Sequence, residues 1–390
     1  MRGEMEVYLD NAATTRVSEK VQSVMNQVFD NDFGNPSSLH KKGMEAERYI
    51  RQAKEQIARS LKAEPKEIVF TSGGTESNNM AVIGAALAMR RTGKHLITTQ
   101  FEHASVYNTM LFLKDMGFTV DFAPVDAVGH VRVQELLELV QKDTVLVSVM
   151  YVNNELGAVQ NIAEISAAVK EKNPNILFHT DAVQAYGKYK ICPKKEGIDL
   201  LSASGHKLHG PKGSGFLYIR DKVHIVPLIY GGGQQKGMRS GTENVPAIAG
   251  LGVAVQEAYA GHEAKTARTY ELKHKLVEQL KRMPGVKVNA VTEPLNGCAP
   301  HIVSASFEGV RAEVLLHALE EKGVYVSSGS ACSSNHPGIS GSLKAIGVES
   351  KLLDATIRFS FSFYTTQEEI DYTVDQLNEL LPMLRRYERR

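Results

Sequence analysis

The sequence predicts an α/β fold, with a large and mainly parallel sheet flanked by helices and a smaller α+β part after it. Three observations carry this. Short, mostly apolar β-rich runs at 67–70, 95–99, 144–150, 176–179, 199–203 and 215–219 alternate with amphipathic stretches such as 43–62, 76–91 and 162–172. That rhythm belongs to parallel strands covered on both faces by helices. A long helical pattern then runs from about 246 to Met283 and stops at Pro284-Gly285. Beyond it the pattern changes to strand runs at 301–307, 323–327 and 356–363 with two helices. At 390 residues the chain also exceeds what one hydrophobic core usually supports, so two domains are expected.

Composition narrows the function classes. The apolar share is 43% and the charged share 23%, ordinary for a globular chain. Forty-five basic residues against 44 acidic ones leave a net charge of +1, which provides no field for gripping nucleic acid or a membrane surface. Apolar stretches such as 80–89 fall short of the ~18–20 residues a bilayer span requires. The N-terminal MRGEMEVYLDNAATT has acids and no apolar h-region, so no secretion signal is expected. The cysteines are Cys192, Cys298 and Cys332, a sparse, odd count without zinc spacing. A cytoplasmic small-molecule enzyme is the expectation.

Four segments carry candidate chemistry, and an open α/β sheet places its ligands at such strand ends. In EIVFTSGGTES (67–77) a strand runs into Gly73-Gly74, and Thr75 opens a helix. Free N–H groups at a helix start and a Thr hydroxyl suit one phosphate, although an ordinary βα turn has the same look. In ILFHTDAVQ (176–184) Asp181 closes an apolar strand and Gln184 follows at i+3. A carboxylate leaving a buried strand needs a cation, for which a protonated pyridine nitrogen would serve; capping the next helix is the alternative. In DLLSASGHKLHGPKGSG (199–215) Ser204, His206 and Lys207 follow a strand. A lysine there can form a Schiff base, whereas most loop lysines, Lys212 among them, only face water.

The fourth segment, GVYVSSGSACSSNHPGISGS (323–342), sets Cys332 among Ser, Gly, Asn and Pro. Small polar residues cannot pack, so an exposed, mobile loop and a reactive thiol are expected. Cys192 and Cys298, both near prolines, read as structural. In IRFSFSF (357–363) the alternation puts Ile357, Phe359, Phe361 and Phe363 on one face and Arg358 on the other. An Arg on the polar face of a half-buried strand can clamp a carboxylate or form a surface ion pair. His103 lies between a strand and a helix, where a ring can stack on a flat cofactor or move protons.

Together these segments resemble the cysteine desulfurases of the NifS/IscS type, within the fold-type I pyridoxal-phosphate enzymes. The matching stretches are YLDNAATT (8–15), FGNPSSLH (33–40), EIVFTSGGTESNN (67–79), EHAS (102–105), NNELGAVQ (153–160), HTDAVQ (179–184), SGHKLHGPKG (204–213), GGGQQKGMRSGTENV (231–245), SSGSACSS (327–334) and TIRFSF (356–361). They follow the family's order along nearly the whole chain.

The resemblance implies a large cofactor-binding domain over 15–258 with a seven-stranded sheet, and a small α+β domain from 1–14 and 259–390. It implies pyridoxal 5'-phosphate as cofactor, joined to Lys207 as a Schiff base. Asp181 would pair with the ring nitrogen, Gln184 with the ring oxygen, and His103 would stack on the ring. Gly74, Thr75, Ser204 and His206 would hold the phosphate, with Thr242 from the second subunit of a homodimer. Asn154 and Arg358 would bind the carboxylate of L-cysteine, and Cys332 would take its sulfur as a persulfide. The sulfur would pass to an acceptor protein, either an iron–sulfur scaffold or a thiolation enzyme, with no direct contact to nucleic acid or membrane. The stretch after Cys332 is richer in Gly, Pro and His than is usual in the family, which leaves the acceptor open. Other pyridoxal-phosphate reactions, such as selenocysteine lysis, aminotransfer or a kynureninase-like hydrolysis, are the rivals. Cys332 discriminates against the last two, which need no catalytic thiol.

Overall fold

The computed structural model describes residues 5–328 and 340–388. The chain enters through a short strand β1 (Val7–Tyr8), then helices α1 (Glu19–Asp30) and α2 (Lys41–Leu61). Alternation follows: β2 (Ile68–Thr71), α3 (Gly74–Met89), β3 (His95–Thr99), α4 (Ala104–Asp115), β4 (Thr119–Ala123), α5 (Val133–Leu139), β5 (Thr144–Ser148), α6 (Ile162–Lys172), β6 (Leu177–Asp181), β7 (Leu200–Ser204) and β8 (Gly215–Ile219). These strands form a seven-stranded sheet in the order β2-β8-β7-β6-β5-β3-β4. Every pairing in it is parallel except those of β8 with β2 and β7.

The sheet's interior explains its legibility. All residues of β3, β5, β7 and β8 are buried, so these strands read as continuous apolar runs. The strand that sequence patterning does not reveal is β4. It lies at the sheet edge, where Thr119 is exposed and only Val120 and Ala123 are buried, so no apolar run marks it.

The expected single helical run from 246 to 283 is two helices, α7 (Val245–Tyr259) and α8 (His262–Arg282). Gly261 breaks it by taking the left-handed conformation, φ 63°. The two helices also serve different cores. Ile248, Leu251 and Val255 of α7 join the core under the large sheet, with Ile57 and Leu61 of α2. Leu272, Leu276, Val277 and Leu280 of α8 join a second core.

That second core includes an antiparallel sheet β12-β13-β10-β9, built from β9 (Val286–Asn289), β10 (Ile302–Phe307), β12 (Ser327–Ser328) and β13 (Thr356–Ser360). Between these lie α9 (Ala312–Glu320), β11 (Val324–Tyr325), which pairs with β1, and α10 (Gly341–Ala345); α11 (Gln367–Glu388) ends the described chain. Among the described residues this is three α-helices beyond α8 where two were expected, because the five-residue α10 is too short to show a period. Ile357, Phe359 and Phe361 face the second core as the alternation predicts. Phe363 instead packs on His209 and Tyr364. Strand β13 is buried along both faces, not half-buried, so Arg358 is an interior residue. Among the described residues no helix is long and apolar enough to cross a membrane.

Candidate active site

A cleft of about 230 Å³ opens at the carboxyl ends of the parallel strands. Gly74, Thr75, His103, Asn154, Asp181, Gln184, Ser204, His206 and Lys207 all line it. Thr242 does not belong to this cleft and is exposed. Arg358 touches the cleft residues from the neighbouring sheet. Cys332 lies outside the described residues.

Asp181 ends β6 and is 4% exposed. Its Oδ1 accepts the Val183 N–H at 2.9 Å and its Oδ2 the Asn78 amide at 2.7 Å. No helix follows, so Asp181 caps a turn. Neutral donors hold the carboxylate, and among the described residues no ion pair reaches it. A buried carboxylate held only by neutral donors suits an incoming cation. Asn78 also donates to Ser105 Oγ at 2.8 Å, and that hydroxyl lies 2.8 Å from His103 Nδ1. His103 caps α4, with Nδ1 accepting the Ser105 N–H at 3.1 Å. Nδ1 is therefore an acceptor and the neutral ring carries its proton on Nε2. Burial first, then the Lys207 charge, pushes His103 below the usual imidazole range, against the pull of Asp181.

A tight glycine turn opens α3. Gly73 adopts φ 150°, and a Cβ on Gly74 would come within 2.6 Å of Val183 Cγ2, so both positions demand glycine. The first amides of α3 lack intrahelical partners, as in every helix. Glu76, the acid of that first turn, is turned away onto Arg239 at 2.8 Å and the Ser72 N–H at 2.8 Å. Ser204 and His206 come from the end of β7 and the single 3-10 turn after it. Lys212 is exposed.

Lys207 ends that turn and donates to the carbonyls of Ala12 and Ala13 at 2.5 and 2.6 Å. A second lysine lies beneath it: Lys188 donates to the Lys207 carbonyl at 2.5 Å, and burial lowers its pKa to about 7. Gln184 donates to Ala12 O at 2.9 Å and meets His301 Nε2 through its own oxygen at 3.2 Å. Beside the site, burial raises the Glu102 carboxyl to about 8, with Asp181 adding to the rise, while its oxygen accepts the Met150 N–H at 2.7 Å.

Arg358 binds the Asn154 carbonyl at 2.8 Å through Nη1 and Asp10 at 2.9 Å through Nη2. On β13 it stands opposite Ser327 of β12. Past the residues that are not described, Ser340 and Ser342 donate to Glu155 at 2.5 and 3.1 Å.

The sequence reading passed over several of these partners. Asp10, Ala12, Asn78, Ser105 and Glu155 lie inside the motif stretches, yet their roles are backbone or second-contact roles that residue type alone does not announce. Lys188 has no signal beyond its place after Gly187.

The comparisons agree with this architecture. The chain belongs to the aminotransferase class-V family, whose model matches residues 7–373. That family consists of pyridoxal-phosphate enzymes. A cysteine desulfurase IscS from Dictyoglomus turgidum is 43% identical over 381 residues, covering 97% of this chain and 95% of the relative. One from Methanosarcina thermophila is 43% identical over 379 residues, covering 97% and 93%. A solved NifS-like protein superposes with a TM-score of 0.91 at 39% identity, covering 97% of this chain and all of the other. The structure of SspA in complex with cysteine reaches 0.80 at 37% identity, over 92% of this chain and 100% of that one.

The cleft suits the family's cofactor. Asp181 offers a buried carboxylate with no cation partner among the described residues, the start of α3 offers its first-turn amides and Thr75, and Lys207 supplies a primary amine in the same cleft.

Proposed function

We propose that this protein is a cysteine desulfurase, taking sulfur from L-cysteine and leaving L-alanine and a persulfide on Cys332. The observation that carries the reading is the cleft itself, where Lys207, Asp181, His103 and the phosphate cup meet beside Asn154 and Arg358. The cysteine desulfurases that match over nearly the full chain support it.

When bound, pyridoxal phosphate supplies an electron sink for the charge that develops at the substrate α-carbon. Lys207 would hold the cofactor through its aldehyde, and its amine would serve as carrier of the substrate α-proton, with His103 Nε2 as the second proton carrier. Asp181 keeps the ring nitrogen protonated, and Asn78 and Val183 hold that carboxylate in place. Gln184 has a second amide hydrogen for the ring oxygen, its first being committed to Ala12. Gly74, Thr75, Ser204 and His206 hold the phosphate, joined by Thr242 of a second copy. Asn154 and Arg358 bind the carboxylate, and the Cys332 thiolate attacks the substrate sulfur. An acceptor protein, an iron–sulfur scaffold or a thiolation enzyme, then takes the sulfur in the cytoplasm.

The division into 15–258 and 1–14 with 259–390 belongs to the same proposal; Val7 and Leu9 packing in the second core supports it. The direct test is incubation with L-cysteine, measuring alanine and sulfide with and without a reductant. No alanine would end the proposal.

Two predictions follow the geometry. Arg358→Ala should raise KM for L-cysteine far more than it weakens cofactor retention. Loss of a charge-assisted pair costs a few kcal/mol, so kcat/KM should fall about 100-fold in steady-state kinetics. An unchanged kcat/KM would remove Arg358 from the substrate site. The protein should also sediment as a two-fold dimer, since the exposed Thr242 is to serve the other copy's phosphate. A fully active monomer would contradict this.

A further inference from the structure

Arg358 is an almost dry guanidinium, its side chain 4% exposed. A charge in that position is costly unless it is paired. Asp10 supplies the pair at 2.9 Å to Nη2, and the Asn154 carbonyl takes Nη1 at 2.8 Å. Nε is buried and has no hydrogen-bond partner. Carboxylates dock on a guanidinium either across both Nη groups or across Nε and one Nη. Each Nη keeps a second hydrogen, and Nε is the guanidinium nitrogen left without a partner among the described residues.

Asp10 is itself held firmly. It bridges to Ser360, the Asn11 amide donates to the Tyr8 and Ser360 carbonyls at 3.0 Å each, and the Ala12 N–H donates to Ser360 Oγ at 2.9 Å. Two residues on, the Ala12 carbonyl receives Lys207 and Gln184. The strand segment that presents Asp10 is thus fixed to β13 on one side and to the cofactor lysine on the other. The other acid that feels Arg358 is Glu155, and its carboxyl is occupied by Ser340 and Ser342. Tyr8 lies within reach of both Asp10 and Arg358 charges, its hydroxyl donating to the Thr14 carbonyl at 3.1 Å.

We propose that Asp10 is the resident counter-ion of Arg358 and a specificity-determining residue of the substrate site: it fixes the orientation of the guanidinium that meets the substrate carboxylate and offsets part of its charge. This rests on Arg358 being the carboxylate site. It has a consequence that a purely structural aspartate lacks, because charge and position act in opposite directions. Asp10→Asn keeps an acceptor on Nη2 but leaves the guanidinium uncompensated, so an incoming carboxylate binds more tightly while the ligand-free protein melts lower. Asp10→Ala releases the guanidinium from its orientation, so carboxylate binding weakens.

The test titrates the holoenzyme with L-alanine and with ethylamine, which has the same amine and no carboxylate, following the cofactor absorbance. The quantity of interest is the ratio of the two dissociation constants. Asp10→Asn should raise discrimination for L-alanine about 5-fold, and Asp10→Ala should lower it about 10-fold, shifts on the order of 1 kcal/mol. Asp10→Glu should fall between wild type and Ala. If the Ala variant fails to fold, Asn and Glu still decide the sign. Asn leaving the ratio unchanged or lowered, while Arg358→Ala abolishes discrimination, overturns this inference alone. If Arg358→Ala leaves the ratio intact, the carboxylate role of Arg358 falls and the inference falls with it.

Discussion

Lys207→Ala is expected to lose all turnover and the absorbance of the lysine-bound cofactor, while the protein stays folded. The amine of Lys207 is the one that the 3-10 turn after β7 delivers into the cleft beside Asp181. Lys188 is a second amine close to it, and Lys212 lies on the exposed side of Ser204 and His206. Lys188 lies beneath the turn with its nitrogen on the Lys207 carbonyl; it lines a cavity behind the site that Lys207 also borders, and does not line the cleft. It is not placed to take over. Ala removes no packing contact comparable to a core side chain, so a large fall in melting temperature is not expected. Borohydride trapping followed by peptide mapping gives the clean readout: wild type carries the label on Lys207, and the variant carries none. A variant that retains the bound-cofactor absorbance and turns over would transfer the Schiff-base role elsewhere.

How much of this was legible in the sequence depended on whether a residue acts by type or by place. Lys207, Asp181 and Gln184 announced themselves because charged or amide side chains at the end of an apolar strand need a reason to be there. Gly73 and Gly74 stood out as a strand-to-helix turn, and the structure gives the reason for glycine there: φ 150° at Gly73 and the approach of Val183 to Gly74 exclude side chains. The partners of these residues were not legible. Asn78 sits on a helix that is buried along much of its length, and nothing in its spacing says that it bridges Asp181 to Ser105. Ala12 and Ala13 matter through their carbonyls, which sequence cannot single out. Arg358 was found, but its surroundings were misjudged. Alternation in 357–363 suggests one wet face, and the tertiary structure covers that face with Asn154 and the segment of Asp10. In the fold, two of the edge strands escaped notice for the converse reason. β4 and β9 are each covered by a partner strand on one side only and bury few side chains, so composition carries too little signal there.

The second large effect is expected at Cys332, because it separates sulfur transfer from the steps before it. Cys332→Ala and Cys332→Ser should retain the cofactor and should still change its absorbance on adding L-cysteine, since cofactor and carboxylate binding use Lys207, Asp181 and Arg358. They should release no alanine above background, and no persulfide should appear by mass spectrometry on the peptide containing residue 332. Cys192→Ser and Cys298→Ser are the controls and should turn over normally. Cys298 is 1% exposed, its thiol donates to the Leu295 carbonyl at 3.0 Å, and it accepts from Lys273 at 3.0 Å. A thiol so enclosed is inert as a nucleophile, so its loss should affect stability more than rate. The described residues that flank the stretch containing Cys332 contact the site's neighbourhood. Ser327 pairs with Arg358 across β12 and β13, and Ser340 is bound to Glu155, the residue after Asn154. Alanine formed by a Cys332 variant at the wild-type rate would mean that sulfur leaves without a protein nucleophile, and a lyase would replace the desulfurase proposed above.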